Sequence, residues 1–88
     1  MKTLIVQIKC HLGEAYHVAA YIIDKVIPCH IYSISGNYDL LAIINLDDEI
    51  DPGVFVNTKL HKVPGIADTS TMIAFNAFTP GGAGEVRK

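Results

Sequence analysis

The sequence predicts an α+β fold with the element order βαββαβ. The first observation is the spacing of apolar residues, which alternate in some segments, as in strands, and recur every three or four positions in others, as in helices. The second is a weak internal repeat, because Pro28 and Pro64 each follow a helical segment, and Leu4 and Leu40 occupy similar strand positions at the same offset. A duplicated split βαβ unit with right-handed crossovers forms a four-stranded antiparallel sheet with two helices on one face, the ferredoxin-like arrangement.

The first half of the chain predicts a strand, a helix and a second strand. Thr3–Cys10 places apolar residues at alternate positions, which indicates a strand with one apolar face. Gly13 interrupts this pattern, and helical spacing begins at Glu14, whose charge suits the positive end of a helix. Pro28 ends the helix. The β-branched and aromatic run Cys29–Ser35 then predicts the second strand.

The third strand carries the main evidence for self-association. Gly36-Asn37 is a tight-turn signal, and the strand that follows it, Tyr38–Leu46, is apolar on both faces. Antiparallel sheets usually expose one face to water, so a strand that is apolar on both sides must be covered on both sides. The two helices cover one face, and we expect a second copy of the chain to cover the other, in a dimer that forms through the sheets.

The second helix and the last strand have clear boundary signals. Asp51-Pro52 places a good N-cap residue before a proline at the first helical position, and Pro64-Gly65 ends the helix. Ile66–Phe78 predicts the fourth strand, with Thr69, Thr71 and Ile73 on one side. We therefore expect one domain over residues 1–79 and a flexible, glycine-rich C-terminal tail over residues 80–88.

Composition limits the classes of function. The 88 residues suffice for one domain, and 50% of them are hydrophobic whereas 18% are charged, an apolar load that favours a homo-oligomer. The net charge of −2 and the absence of a basic stripe argue against nucleic-acid binding. No apolar run approaches the roughly 20 residues that span a bilayer, and the N-terminus lacks a signal-peptide pattern. Two cysteines do not form a disulfide framework, so we expect a reduced, cytoplasmic protein without a membrane partner.

Two motifs resemble the effector-binding module of the Lrp/AsnC regulators, also called the RAM domain. Ser33–Ala42 contains a glycine-x-aromatic-Asp turn, and Pro64–Thr71 follows the pattern Pro-Gly-[Ile/Val]-x-x-Thr-x-Thr. The resemblance extends from Met1 to Phe78. It implies dimers that pack sheet to sheet, rings such as octamers built from these dimers, and an effector pocket between dimers with the glycine turn as one wall. Relatives usually carry a helix-turn-helix domain ahead of this module. Because Met1 lies at the first strand, we expect a stand-alone form without direct DNA binding.

The same resemblance, transferred residue by residue, nominates six ligand-binding residues. A glycine turn exposes backbone N–H groups that can bind a carboxylate. An aspartate can accept a hydrogen bond from an ammonium group, and threonines provide hydroxyl groups for hydrogen bonding. This mixed set fits an amino acid or a related small metabolite, although each piece alone is also an ordinary turn or strand feature. Leu12 and Tyr16 are additional candidates for the side-chain pocket. The six residues are Gly36, Asn37, Tyr38, Asp39, Thr69 and Thr71.

The resemblance implies a regulatory module that binds an amino acid and modulates transcription regulators through oligomerisation. Full-length Lrp/AsnC-type regulators are then candidate partners. Two alternatives stay open at this point: an assembly partner that binds no ligand, and a small enzyme of the monooxygenase type, because related dimeric α+β folds include such enzymes. The titratable candidates have no recognisable catalytic spacing and there is no cofactor loop, so we expect neither an enzyme nor a cofactor. These candidates are His11, His30, Tyr16, Tyr38 and Asp39.

The repeated pairs Cys10-His11 and Cys29-His30 raise the question of a zinc site. In a split βαβ unit the first two strands are parallel, so the end of one and the start of the other lie at opposite ends of the sheet. A strand of this length spans about 25 Å, whereas zinc–sulfur bonds are about 2.3 Å long. We therefore expect no metal site and no disulfide within one chain, and leave a site between subunits open.

Overall fold

The computed structural model describes residues 1–78 and Pro80 and confirms the βαββαβ order. Each helix continues as a π-helical segment, Ile22–Val26 after the first and Val56–Leu60 after the second. The predicted C-terminal tail falls mostly on residues 81–88, which lie outside the described residues. The regular elements are β1 (Lys2–Cys10), α1 (Ala15–Tyr21), β2 (His30–Ser33), β3 (Leu40–Leu46), α2 (Pro52–Phe55) and β4 (Ile66–Ala74).

The four strands form one antiparallel sheet in the order β2-β3-β1-β4, as the ferredoxin-like prediction requires. β1 is central, so that Ile8 pairs with Leu40 on one side and with Thr69 on the other. The short β2 and the longer β4 are the edge strands. Strand alternation then decides which residues share a face, because directly paired residues project to the same side of an antiparallel sheet.

The core lies between the sheet and the two helices. Leu4, Val6 and Ile8 on β1 are fully buried, and the same face of β3 is buried along its whole length. Burying one such aliphatic side chain stabilises the fold by about 1.5–3 kcal/mol. The predicted apolar alternation in β1 therefore marks the face toward the helices. The helical side of this core is formed by Val18, Ile22, Phe55, Val56 and Leu60.

The opposite face of the sheet has no helix over it within residues 1–78. Leu41 and Ile43 of β3 project to this face and are half-buried, while Met72 of β4 is 46% exposed. At its margin the Thr3 hydroxyl donates a hydrogen bond of 2.8 Å to Asn45 Oδ1. The third strand is thus apolar on both faces in the folded chain, and we call this second, uncovered side the open sheet face.

The largest differences from the prediction lie at the β2–β3 connection and at the end of β4. β2 ends at Ser33 and β3 begins at Leu40, so the connection is six residues long rather than a two-residue turn, and the Ile34 amide closes it onto the Asp39 carbonyl at 2.9 Å. β4 ends at Ala74 instead of Phe78. Its last paired residue, Ala74, lies opposite Thr3 near the start of β1. The residues after Ala74 therefore have almost no β1 residues left with which to pair.

The N-terminus of α2 forms as predicted. Asp51 is the N-cap, and its Oδ1 accepts hydrogen bonds from the amides of Gly53 at 2.8 Å and Val54 at 3.4 Å. Pro52 occupies the first turn, where its missing N–H costs nothing. In the part of the chain that the structure describes, no helix is both long and apolar enough to cross a membrane.

Candidate ligand-binding site

A groove of about 620 Å³ opens at the end of the sheet where β1 leads into α1. Three parts of the chain meet there: the loop from β1 to α1 with the first turn of that helix, the end of the β2–β3 connection, and the start of β4. Its walls are formed by Lys9, Cys10, His11, Leu12, Gly13, Ala15, Tyr16, Asp39 and Ala67.

Asp39 connects the β2–β3 connection to the end of β1. Its amide donates to the Ile8 carbonyl at 2.9 Å, and its Oδ2 accepts from the Cys10 amide at 2.8 Å. The carboxylate thus takes the place of the next backbone acceptor in the ladder between β1 and β3. Within the described residues no hydrogen-bond donor reaches Asp39 Oδ1. One carboxylate oxygen therefore supports the fold, and the other remains available in the groove.

The β1–α1 loop is anchored on its other side by β4. The His11 amide donates to the Gly65 carbonyl at 2.9 Å, and the Glu14 amide donates to the His11 carbonyl at 3.0 Å. Gly65 has a φ of +95°, and a Cβ at this position would lie 2.9 Å from Val18 Cγ2. Only glycine combines this backbone conformation with such a close approach to α1. The loop that forms most of the groove is therefore held between Asp39 and Gly65.

Charged and apolar groups are both present in the groove. Lys9 and His11 bring basic side chains and Asp39 a carboxylate. Burial raises the pKa of the Cys10 thiol, the nearby carboxylates of Asp39 and Glu14 raise it further, and Lys9 opposes them. The thiol is therefore neutral at neutral pH, and Cys10 behaves as a small apolar residue.

The rim of the groove carries two strongly exposed apolar side chains. Leu12 has the exposure of an isolated residue, and Tyr16 is 79% exposed. Both line the groove, and both are the sequence-based candidates for the side-chain pocket. A single chain therefore leaves the groove open toward solvent on this side, and a ligand or a second copy of the chain that covered the rim would bury considerable apolar surface.

The six residues of the predicted ligand set occupy three places. Asp39 lines the groove. Gly36, with a φ of +105°, and Asn37 lie exposed in the connection that precedes it, and Tyr38 is half-buried there. None of these three lines the groove within a single chain. The turn thus contributes to the groove through its last residue alone.

Thr69 and Thr71 lie on the other side of the central strand. They pair with Ile8 and Val6 of β1, so β1 separates them from Asp39. The Thr69 hydroxyl and His61 Nε2 lie 2.8 Å apart in a hydrogen bond. Each threonine lines a smaller groove of about 270 Å³ beside α2 or the turn that follows it. Ala67 lines both the main groove and the one at Thr69, so Thr69 adjoins the main groove without entering it, whereas the groove at Thr71 shares no lining residue with the main groove.

Sequence reasoning did not nominate six of the residues that line the groove: Lys9, Cys10, His11, Gly13, Ala15 and Ala67. The signal for the first three was their position at the end of β1 just before Gly13, which indicates a loop that opens beside a sheet edge. No local pattern marks Ala67, because its place depends on the register between β4 and β1.

The cysteines lie far apart, as the parallel orientation of the first two strands predicts. Cys10 ends β1, whereas β2 begins at His30, which pairs with Ile43 and so lies level with Ile5. Both thiols are free. Among residues 1–78 and Pro80, no group of three or more His, Cys, Asp or Glu side chains is placed to hold a metal ion.

Comparisons with known proteins agree with this architecture. A family model described as the Lrp/AsnC ligand binding domain matches residues 3–83. A search of curated proteins gave no match. Among solved structures, FFRP-DM1 is 29% identical with a TM-score of 0.76, and the alignment covers 85% of this chain and all of that one. The hypothetical protein PHS023 from Pyrococcus horikoshii is 26% identical with a TM-score of 0.74, over 93% of this chain and 99% of that one.

A longer protein shares the fold. The transcriptional regulator NMB0573 from Neisseria meningitidis, solved in complex with L-Met, has a TM-score of 0.74 at 15% identity, and the alignment covers 89% of this chain and 52% of the regulator. The family model spans nearly the whole chain, including both motifs noted in the sequence. The chain therefore belongs to the Lrp/AsnC ligand-binding domain family.

Proposed function

We propose that this chain is a regulatory module that binds an amino acid or a related small metabolite and modulates transcription regulators through its oligomers, without binding DNA itself. The observation that carries the proposal is the groove at the end of β1, in a chain of the Lrp/AsnC ligand-binding family. Its volume of about 620 Å³ lies within the range of small-molecule pockets.

The charges in the groove suit a zwitterion. The free oxygen of Asp39 is an acceptor for an α-ammonium group, and Lys9 and His11 are basic partners for an α-carboxylate. The Neisseria regulator was solved with L-Met, which supports an amino acid as the class of ligand.

We propose that the other motif residues contact the ligand when a second dimer closes the groove. Gly36, Asn37 and Tyr38 do not line the main groove of their own chain, so we assign them to a ligand held against a neighbouring copy. Thr69 adjoins the groove through Ala67, and Thr71 lies two residues farther along the same strand. Their hydroxyls belong to the same proposed site. We propose a dimer through the open sheet face and a ring of such dimers, in which full-length Lrp/AsnC-type regulators are candidate partners.

The first test is a thermal-shift screen of the purified chain against the standard amino acids, with oligomer mass followed by light scattering. A ligand at a hundred times its dissociation constant stabilises the folded state by about 2.7 kcal/mol. We expect a selective stabilisation together with a change in oligomer mass, because a ligand shifts an assembly equilibrium only by binding one assembly more tightly. A flat screen would contradict an amino-acid sensor and favour an assembly partner that acts through its surfaces alone.

The absence of direct DNA binding is tested separately. The net charge of −2 supplies no electrostatic footprint for phosphates. We expect no shift of duplex DNA by the pure 88-residue chain at physiological salt. Sequence-specific binding in this assay would remove this part of the proposal and leave the ligand-binding part intact.

A further inference from the structure

We infer that the groove selects amino acids with an uncharged, apolar or aromatic side chain, and that Leu12 and Tyr16 determine this specificity. The inference rests on the proposed function and narrows its ligand class. It follows from how polar and apolar side chains are divided within the groove.

The charged residues of the groove are matched by the main-chain groups of an amino acid. Asp39 has one free carboxylate oxygen, and Lys9 and His11 carry the basic groups. Among the described residues of one chain, Asp39 is the one acidic side chain that lines the groove, and the Glu14 carboxylate near Cys10 lies outside the lining. Once the α-ammonium and α-carboxylate of a ligand are paired, this lining offers no second carboxylate to a basic ligand side chain. A basic side chain would therefore have to leave water without a counter-charge, which is strongly unfavourable. An acidic side chain would compete with the α-carboxylate for the same two basic groups.

The rest of the lining is apolar or neutral. Leu12, Ala15, Tyr16 and Ala67 bring aliphatic and aromatic surface, and the protonated thiol of Cys10 adds a small neutral group. Leu12 and Tyr16 are the two large members of this set, and both are strongly exposed in the single chain. A ligand side chain that packs against them removes apolar surface from water, which a polar side chain does not do to the same extent.

The size of the groove does not discriminate among the amino acids. At about 620 Å³ it is roomy for a single amino acid. Selection must therefore come from polarity and from contact with the rim. This predicts a graded preference in which L-Leu, L-Met and L-Phe bind more tightly than L-Lys and L-Glu.

The two cysteines make the location of binding measurable. Cys10 lines the groove, whereas Cys29 directly precedes β2, far from Cys10 along the sheet. We would measure alkylation of each cysteine by iodoacetamide at mildly alkaline pH, peptide by peptide, with and without each of the five amino acids. Because burial and a raised pKa slow the reaction of the Cys10 thiol, the reaction is followed over long incubations and each rate is compared with that of the unliganded chain. The expected result is that L-Leu, L-Met or L-Phe slows alkylation of Cys10 and leaves Cys29 unchanged.

Two variants of the same residue type test the specificity determinants. Tyr16→Ala removes a groove residue and is expected to weaken binding of the preferred amino acid about tenfold, the loss expected from one partly buried aromatic contact. Tyr21→Ala is the matched control, because Tyr21 lies on the same helix, is 40% exposed and does not line the groove. Leu12→Asp is expected to lower affinity for apolar ligands and to raise relative affinity for L-Lys.

The possible outcomes separate this inference from the proposed function. Equal or tighter binding of L-Lys or L-Glu to the wild-type chain overturns the inference and leaves an amino-acid sensor standing. Binding that does not protect Cys10, or that Tyr21→Ala weakens as much as Tyr16→Ala, also overturns the inference alone. Absence of binding by every amino acid overturns both.

Discussion

At the scale of single residues, Asp39 has two roles that a motif cannot distinguish. Its Oδ2 accepts the Cys10 amide at 2.8 Å, which ends the ladder between β1 and β3. Asp39 also lines the groove, where its other oxygen is the proposed acceptor for the ligand's ammonium group. A match to the family motif is consistent with a structural role and with a ligand-binding role, so the two roles need separate measurements.

Replacing Asp39 should separate these roles. Asp39→Ala leaves the part-buried Cys10 amide without its acceptor and should lower the free energy of unfolding by about 1.5–3 kcal/mol, the usual value for a hydrogen bond to a charged group. Asp39→Asn keeps an acceptor oxygen and should cost less stability, yet it removes the charge that an α-ammonium group needs. Urea unfolding and ligand titration on both variants check this. Equal stability of the two variants would contradict the structural role.

Gly65 is predicted to be the least replaceable glycine of the loop region. A Cβ there would lie 2.9 Å from Val18 Cγ2 and 3.1 Å from Glu14 Cβ, at a φ of +95°. Gly36 has a similar φ of +105° but nothing within 4 Å of the same position, so it is the matched control. Gly36→Ala should cost about 1 kcal/mol from backbone strain alone, and Gly65→Ala clearly more. Thermal unfolding of both variants measures the difference, and equal costs would show that the close approach relaxes freely.

Cys10 should make stability depend on alkaline pH. Burial and neighbouring carboxylates raise the pKa of its thiol in the folded chain above the unfolded value. The folded state then holds the proton after the unfolded state has lost it. The stabilisation is complete below about 8.5, the ordinary pKa of a thiol, and is lost as pH rises through the folded pKa. Cys10→Ala should therefore lose less stability than wild type between neutral and alkaline pH in urea unfolding. Parallel pH profiles would contradict this.

At the scale of elements, β3 has the most distinctive surface. The side toward the helices belongs to the core, and the other side places Leu41 and Ile43 on the open sheet face beside Ile5 of β1. All three are half-buried in the single chain. Contiguous apolar surface of this kind, with no covering helix, is typical of a protein–protein interface.

A charge on the open sheet face should disrupt the proposed dimer without unfolding the chain. Ile43→Lys places an ammonium group in the middle of this face, where a long side chain can still reach water in the monomer but not in the dimer. Light scattering should show a fall toward the monomer mass, with circular dichroism unchanged. Val54→Lys is the control, because Val54 is 57% exposed on α2, away from the sheet. An unchanged mass for Ile43→Lys would contradict dimerisation through this face.

At the scale of the whole molecule, two of the apolar surfaces that the described residues leave outside the core bear on the proposed assembly. One is the open sheet face, and the other is the groove rim with Leu12 and Tyr16. They lie in different parts of the fold, the first opposite the helices and the second at the end of the sheet. Under the proposed function both surfaces mediate contacts between copies of the chain, and two distinct self-association surfaces allow dimers to close into a ring. The proposed ring would place the groove at a contact between dimers, where a bound ligand would influence assembly.

The amino-acid sequence by itself determined the order of the elements, the buried face of β1, the apolar character of both sides of β3 and the cap at Asp51. These depend on periodicity and on local hydrogen bonds, which neighbouring residues control. The resemblance to the family also followed from the sequence, because its motifs are short and contiguous. The ends of the elements were less predictable, since β4 stops where its partner strand does.

Only the tertiary structure decided which candidate residues meet. Asp39 reaches Cys10 across the β1–β3 ladder, while Thr69 and Thr71 lie beyond β1 beside His61. This separation depends on strand register and order, and a sequence motif contains no information about the strand that lies between two of its parts. The groove itself exists because the chain reverses direction after β1, where long-range contacts with Asp39 and Gly65 hold the loop.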